Sequence, residues 1–319
     1  MVKRGVSPSV IQYLDDFCCV SASKETAEKD LEIMLDTITE AGFQVQHSKT
    51  CGPARALEFL GIMIDTENKV LAISPERMDD IKEELSEWSN RKSCTKRQLL
   101  SLIGKLSFSA RVIRHGRKFT RRLIDLSKKA KNLHHRLKVG EQARADIAWW
   151  QRCISSHNGI TWLDDYWDND AAIHMYTDAS DLAAGALYRS SWTIMPFTNE
   201  HDWMASKMIA YREMLAVILG IATFAKDMSG HHIAMYTDNQ VVYCCLSSGT
   251  SKDPDIMALI RALYYYVSVH GIKYKPFYLS THRNAAADSL SRKDIIRFRS
   301  LCPNADVSMT KPATLLLDF

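Results

Sequence analysis

Two near-identical hexapeptides, MYTDAS (Met175–Ser180) and MYTDNQ (Met235–Gln240), constrain this chain more than any other feature. Each carries a β-favouring run that leads into an aspartate at its fourth position, and a long apolar helix pattern over about Ser206–Asp227 lies between them. In an α/β sheet, carboxylates at the carboxyl ends of neighbouring strands converge just outside the sheet edge. The surrounding pattern agrees: strands are expected at Ile173–Thr177, Ala184–Arg189, Trp192–Phe197, Ile233–Thr237 and Lys273–Leu279. Helices are expected at Asn239–Ser247 and Asp255–Val269, with a short final one through Asp288. Three antiparallel strands followed by α-β-α-α-β-α make an α/β unit of mixed sheet and flanking helices.

Four acids occupy informative places in that unit: Asp178 and Asp238 at strand ends, Glu213 early in the long helix, and Asp288 in the last helix. Any one of them is readily an ordinary acid at an element end. Four carboxylates held together repel strongly unless cations neutralise them. Mg²⁺ suits such a set, because it takes oxygen ligands, keeps waters and shares itself with substrate phosphates. Two such ions, roughly 4 Å apart, would clamp the attacking water and the leaving oxygen of a displacement at phosphorus.

The 319 residues allow two domains, with 24% charged and 46% hydrophobic residues, an ordinary globular composition. No apolar run approaches the roughly 20 residues of a membrane span, and no apolar stretch follows the basic N-terminal residues as in a secretory signal. The eight cysteines show no CxxC spacing and read as reduced thiols of an intracellular protein. The net charge of +4 hides an asymmetry: residues 91–138 carry sixteen basic residues against one acidic, and residues 1–90 carry nine against seventeen. Such a block is the footprint of a phosphate-backbone contact, or else a solvated helical face.

The N-terminal third reads as mixed. Strands at Val10–Asp16 and Phe17–Ser21 form a hairpin, and a helix covers about Thr26–Ala41. A short strand at Phe43–Val45 and an apolar hairpin, Leu57–Ile64 with Val70–Ile73, complete it. From Pro75 to Ser155 every periodic segment is helical, including Arg117–Lys131.

The combination YTDAS, YREMLA, YTDN and STHRNAAADSLSR, over about residues 170–292, resembles the ribonuclease H domain of retroelement reverse transcriptases. That resemblance implies a D-E-D-D set on Asp178, Glu213, Asp238 and Asp288, two Mg²⁺ (or Mn²⁺) ions, and a mobile catalytic-loop histidine at His282. It departs from the family's pattern where Ala183-Ala184 precede Gly185. Tyr13-Leu14-Asp15-Asp16 with AGFQVQHSKT and FLGIMID resembles the end of a reverse transcriptase palm, which implies metal ligation by Asp15 and Asp16 and a loop role for Lys49. Gln98–Leu126 resembles the thumb of tyrosine-recombinase (DIRS-like) retrotransposons, with Arg111, Arg114, Arg117, Lys118, Arg121 and Arg122 on the nucleic-acid backbone.

The implied organisation is a partial palm (1–74), a helical basic thumb and connection (75–162), a ribonuclease H-like domain (163–292) and a tail (293–319). The implied activity is hydrolysis of the RNA strand of an RNA–DNA hybrid, within an N-terminally truncated reverse transcriptase from an LTR-type or DIRS-like element. Partners would be the hybrid and other parts of a retrotransposon polyprotein, with no membrane. The alternatives are a non-catalytic nucleic-acid-binding remnant, or a reverse transcriptase active only when fingers and the missing palm carboxylate are supplied.

Overall fold

The structure, a computed structural model, describes residues 10–163, 167, 169–198 and 202–315. The chain divides into two compact units, Met1–Met78 with Gly159–Asp165, and Asp79–Asn158 with Tyr166–Phe319. Within the stretch 163–170 that precedes the sheet, residues 164–166 and 168 lie outside the described residues.

The first unit begins with a hairpin, β1 (Val10–Tyr13) and β2 (Asp16–Cys19), in which Tyr13 pairs with Asp16 across a two-residue loop. Leu14 sits in that loop at φ 54°, left-handed backbone that a non-glycine residue adopts only in tight turns. Helix α1 (Lys24–Glu40) follows, capped by the Ser23 hydroxyl, which accepts from the Thr26 amide. Strands β3 (Ala56–Phe59), β4 (Ile62–Asp65) and β5 (Val70–Ala72) form an antiparallel meander. The expected strand at Phe43–Val45 is irregular backbone instead, since its residues are largely exposed and pair with nothing that could form a ladder.

Helix α2 (Pro75–Trp88) leads out of this unit. The next stretch is mostly helical, as α3 (Lys96–Ser109), α4 (Arg121–Lys128) and α5 (Glu141–Ser156). It is not entirely so: β6 (Ser93–Thr95) pairs antiparallel with β7 (Arg136–Lys138). Their buried residues, Cys94 and Leu137, face each other in register with polar residues on either side, a two-residue alternation too short to stand out in the sequence. The expected helix at Arg117–Lys131 is a 3-10 turn over Arg114–Thr120 that becomes helical only in α4. Gly116 lets this turn pack directly on the Trp150 ring, which a Cβ there would meet at 2.2 Å. After α5 the chain returns to the first unit as β8 (Ile160–Trp162) and adds to β5, completing a sheet of order β3-β4-β5-β8.

The remaining elements build a five-stranded sheet. Strands β9 (Ile173–Ala179), β10 (Ala183–Tyr188) and β11 (Ser191–Pro196) are antiparallel. The expected long helix at about Ser206–Asp227 is α7 (Ile209–Phe224), and a short helix that was not expected, α6 (Asp202–Ala205), precedes it across the bend at Ser206–Met208. Strand β12 (His232–Thr237), helices α8 (Gln240–Ser248) and α9 (Pro254–Val269), strand β13 (Lys273–Tyr278) and helices α10 (Ala285–Ser291) and α11 (Ile295–Leu301) follow. β12 runs parallel to both β9 and β13, giving the order β11-β10-β9-β12-β13. This mixed five-stranded sheet with flanking helices is the architecture that the resemblance implies.

Its core is α7 against the sheet. Met214 to Leu219 and Ile221 are almost wholly buried, and Gly220 admits Met175 and Ala186, which a Cβ would meet at 2.8 and 3.0 Å. The basic helical stretch belongs to the same unit. Trp149 on α5 is fully buried and donates from Nε1 to the Arg261 carbonyl of α9 at 3.0 Å. Residues 303–313 run beside β11, with the Thr310 amide donating to the Trp192 carbonyl at 2.9 Å and the Trp192 indole to the Asp306 carbonyl at 2.8 Å. Among the described residues no helix is long and apolar enough to cross a membrane.

Candidate active site

The parallel pairing of β9 with β12 sets the site. Tyr176 is level with Tyr236, so Asp178 and Asp238 come to the same end of adjacent strands. Glu213, in the second turn of α7, approaches from the helix. Carboxylate oxygens of these three residues lie within 4.8 Å of one another, with Asp178 and Glu213 buried and Asp238 half-buried. Glu213 Oε2 and Asp238 Oδ1 are out of water and have no hydrogen-bond partner. A buried carboxylate oxygen without a donor carries an uncompensated desolvation cost, of order 1–3 kcal/mol or more for a charged group. A hard divalent cation is the group that would satisfy both, so the donor set fits one.

Proton affinities follow the same crowding. Burial, then the Asp238 and Asp288 charges, raise Asp178 to about 7, against a Ser291 hydroxyl that pulls it down. Burial and repulsion from Asp178 and Asp238 push Glu213 up to about 9. Without a cation the trio favours the protonated state at these two positions.

Helix α10 places the remaining groups. Gly185 pairs with Asp178 in the β9–β10 ladder and lies under α10, where a Cβ would meet Leu290 Cβ at 2.7 Å. The glycine is therefore kept where the helix crosses, and Ala183 and Ala184 pack without disturbing the acids. This close approach brings the Ser291 hydroxyl onto Asp178 Oδ2 and within 2.9 Å of the Asp288 carbonyl. Buried Asn284 donates to the Thr177 carbonyl at 2.9 Å and ties the start of α10 to β9.

Asp288 is buried beside the trio but is not one of its clustered ligands. Its Oδ1 accepts from Arg292 Nε at 2.7 Å and its Oδ2 from Arg297 Nη1 at 3.1 Å. Sequence reasoning missed both arginines. Arg292 carried a signal, since it stands four residues after Asp288 on a helix, whereas Arg297 lies on α11 past the recognisable motif. His282 is exposed on a 3-10 turn, its Nε2 3.2 Å from the Ser280 hydroxyl.

Asp15, Asp16 and Lys49 are all exposed in the first unit, with Asp15 in the hairpin loop and Asp16 opening β2. Among the basic residues, Arg111, Arg117 and Arg121 are exposed, and Arg121 pairs with Asp125 at 3.3 Å. Lys118 is engaged internally: its Nζ lies 2.5 Å from the Tyr264 hydroxyl and 3.3 Å from the Ser248 carbonyl. Arg122 lies 3.7 Å from buried Asp146, and Arg114 is half-buried in the 3-10 turn.

No protein-family model and no curated protein sequence matches this chain. Several solved structures are similar to it. One is the foamy viral protease-reverse transcriptase in complex with double-stranded DNA, 16% identical over 86% of this chain and 46% of that one, with a TM-score of 0.37. Another is the foamy viral protease-reverse transcriptase in complex with an RNA/DNA hybrid, 16% identical over 86% of this chain and 36% of that one, TM-score 0.36. This chain thus spans less than half the length of either viral chain. The ribonuclease H1 of the halophilic archaeon Halobacterium salinarum is 18% identical over 39% of this chain and 98% of its own, TM-score 0.30. These likenesses concern the fold and assign no residue a role.

Proposed function

We propose that the chain is a cation-dependent ribonuclease H that hydrolyses the RNA strand of RNA–DNA hybrids. The observation that carries this reading is the trio Asp178, Glu213 and Asp238, clustered at the strand ends with two buried oxygens that lack a donor. Asp178 and Asp238 would hold the first Mg²⁺ or Mn²⁺ with Glu213, and Asp288 would complete a second position. When bound, the ions supply charge neutralisation at phosphorus and a water acidic enough to attack there. The chain's own groups do the rest. Ser291 orients the Asp178 carboxylate, Asn284 fixes the approach of α10, and exposed His282 would help the product leave.

In this reading the residues divide as a partial palm (1–74), a basic thumb and connection (75–162), the nuclease domain (163–292) and a tail (293–319), within the reverse transcriptase region of an LTR-type or DIRS-like retrotransposon polyprotein. Arg111, Arg117 and Arg121 are the exposed basic residues that would meet phosphates, with Lys118 held by Tyr264 and Ser248 and Arg114 and Arg122 half-buried. Asp15, Asp16 and Lys49 are the polymerase remnant. A second reading, hybrid binding without cleavage, is favoured by one feature: both Asp288 oxygens are occupied by arginines.

Cleavage of end-labelled RNA–DNA hybrid with Mg²⁺ or Mn²⁺ separates the two readings. The wild-type chain should cut the RNA strand, and Asp178→Asn should not, while hybrid affinity and melting temperature stay close to wild type. Absence of cleavage by the wild-type chain would favour the binding-only reading, whereas cleavage that survives Asp178→Asn would overturn the assignment of that residue.

A further inference from the structure

We propose that Arg292 and Arg297 are positioning residues that hold Asp288 out of the cation-binding set, so that a second divalent ion binds only by displacing them. The inference rests on the cation-dependent reading above. Its basis is the occupation of Asp288: one oxygen accepts from each arginine, at 2.7 and 3.1 Å, and Asp288 is not among the clustered ligand oxygens. The trio alone offers the clustered oxygens of a single site.

The two arginines have fixed backbones and movable heads. Arg297 is followed by Phe298, which is fully buried with its ring 5.2 Å from Trp192, and its amide donates to the Asp294 carboxylate at 3.0 Å. Arg299 on the same helix donates to the carbonyls of Ala305, Asp306 and Val307, which moors α11 to the segment beside β11. The Arg292 and Arg297 side chains are nonetheless 61% and 50% exposed. Their guanidinium groups can therefore swing into water, or onto a substrate phosphate, without moving either helix. Exchange of two guanidinium groups for one dication leaves the positive charge beside Asp288 unchanged. Neither state is then heavily favoured, and the second ion should bind more weakly than the first.

The test is Mn²⁺ binding to the full-length chain, followed by the electron paramagnetic resonance signal of free Mn²⁺ and by calorimetry, with no substrate present. Wild type should show one tighter and one weaker ion. Arg297→Gln and, separately, Arg292→Gln should tighten the weaker ion by roughly two- to fivefold, the scale of a half-exposed ion pair, and leave the tighter one unchanged. Arg297→Lys should return the weaker affinity toward wild type. Lys293→Gln removes an equal charge from an exposed position between the two arginines and should change neither. Two equally tight ions in wild type, or a weaker ion indifferent to both arginine substitutions, would overturn the clamp while the cation site stands. A comparable tightening in Lys293→Gln would overturn it in favour of a general field effect. Wild type that binds no Mn²⁺, or binding unaltered by Asp178→Asn, would remove the cation-dependent reading and the clamp with it.

Discussion

Asp146 on α5 accepts from Arg261 Nη2 on α9 at 3.1 Å, with the two side chains 2% and 6% exposed. Arg122 approaches the same carboxylate oxygen from α4 at 3.7 Å. Three helices distant in sequence thus share one buried charge cluster, and the Trp149 indole, bonded to the Arg261 carbonyl, lies beside it. Removing one member of such a pair leaves an uncompensated buried charge, which costs about 3–5 kcal/mol. Asp146→Ala should lower the unfolding free energy by that order in urea titration. The loss should appear in the 79–158 helices and the five-stranded sheet together, as one transition. A separate early melt of the helices alone would show that they are not part of one cooperative body with the sheet.

The carboxylate trio should make the cation-free chain sensitive to alkali. Asp178 and Glu213 bind protons more tightly folded than unfolded, with folded values of about 7 and about 9. The sign follows: their stabilising contribution is present at acid pH and lost as pH rises through those values. In chelator, the melting temperature should fall from pH 5 to pH 9, and Asp178→Asn should flatten the lower part of that fall. Adding Mg²⁺ should restore stability most at the alkaline end, where the ligands are ionised. A flat profile in chelator would contradict the crowding described here.

His157, at the end of α5, gives the opposite dependence. Burial pulls it down to about 4, so the folded chain keeps it neutral where the unfolded chain has protonated it. Stability from this group is present above about pH 6.5 and is lost as pH falls toward 4, at about 1.4 kcal/mol for each unit of pKa difference. A glutamine at this position should be relatively more stable at pH 5 than at pH 7 when both are compared with wild type. Chemical denaturation at the two pH values reads the difference.

The basic segment should divide by exposure. Each phosphate neutralised on B-form DNA contributes about −0.9 to the slope of log affinity against log salt, a rough guide for hybrids. Alanine at Arg117 and Arg121 together should make the slope shallower by up to about two units, with similar losses for all sequences. Arg122→Ala should instead lower stability, because its guanidinium faces Asp146. Fluorescence anisotropy over a salt series distinguishes these outcomes, and loss confined to some sequences would indicate base contacts.

Much of the sheet is legible in the sequence because its strands are β-favouring runs closed by turns, and because Asp178 and Asp238 stand at the same place in matching hexapeptides. Glu213 is equally legible, being an acid in a helix whose other faces are apolar. Strands of three residues such as β6, β7 and β8 are not, since they are stabilised by partners 41 to 92 residues away rather than by local periodicity. Arg297 is invisible for the same reason. Its partner is chosen by the packing of α11 through Phe298, which no local pattern encodes.

The return of the chain at Ile160–Trp162 has a consequence in time. The first unit stops at Met78, and the strand that completes its sheet is made only after the intervening segment, Asp79–Asn158. At about 5–20 residues per second, those eighty residues take the ribosome roughly 4–16 s. Throughout that interval Val70–Ala72 is an edge with free amides and carbonyls. Two nascent chains on one message that meet in that state each present the same open edge, and the two edges can pair with one another.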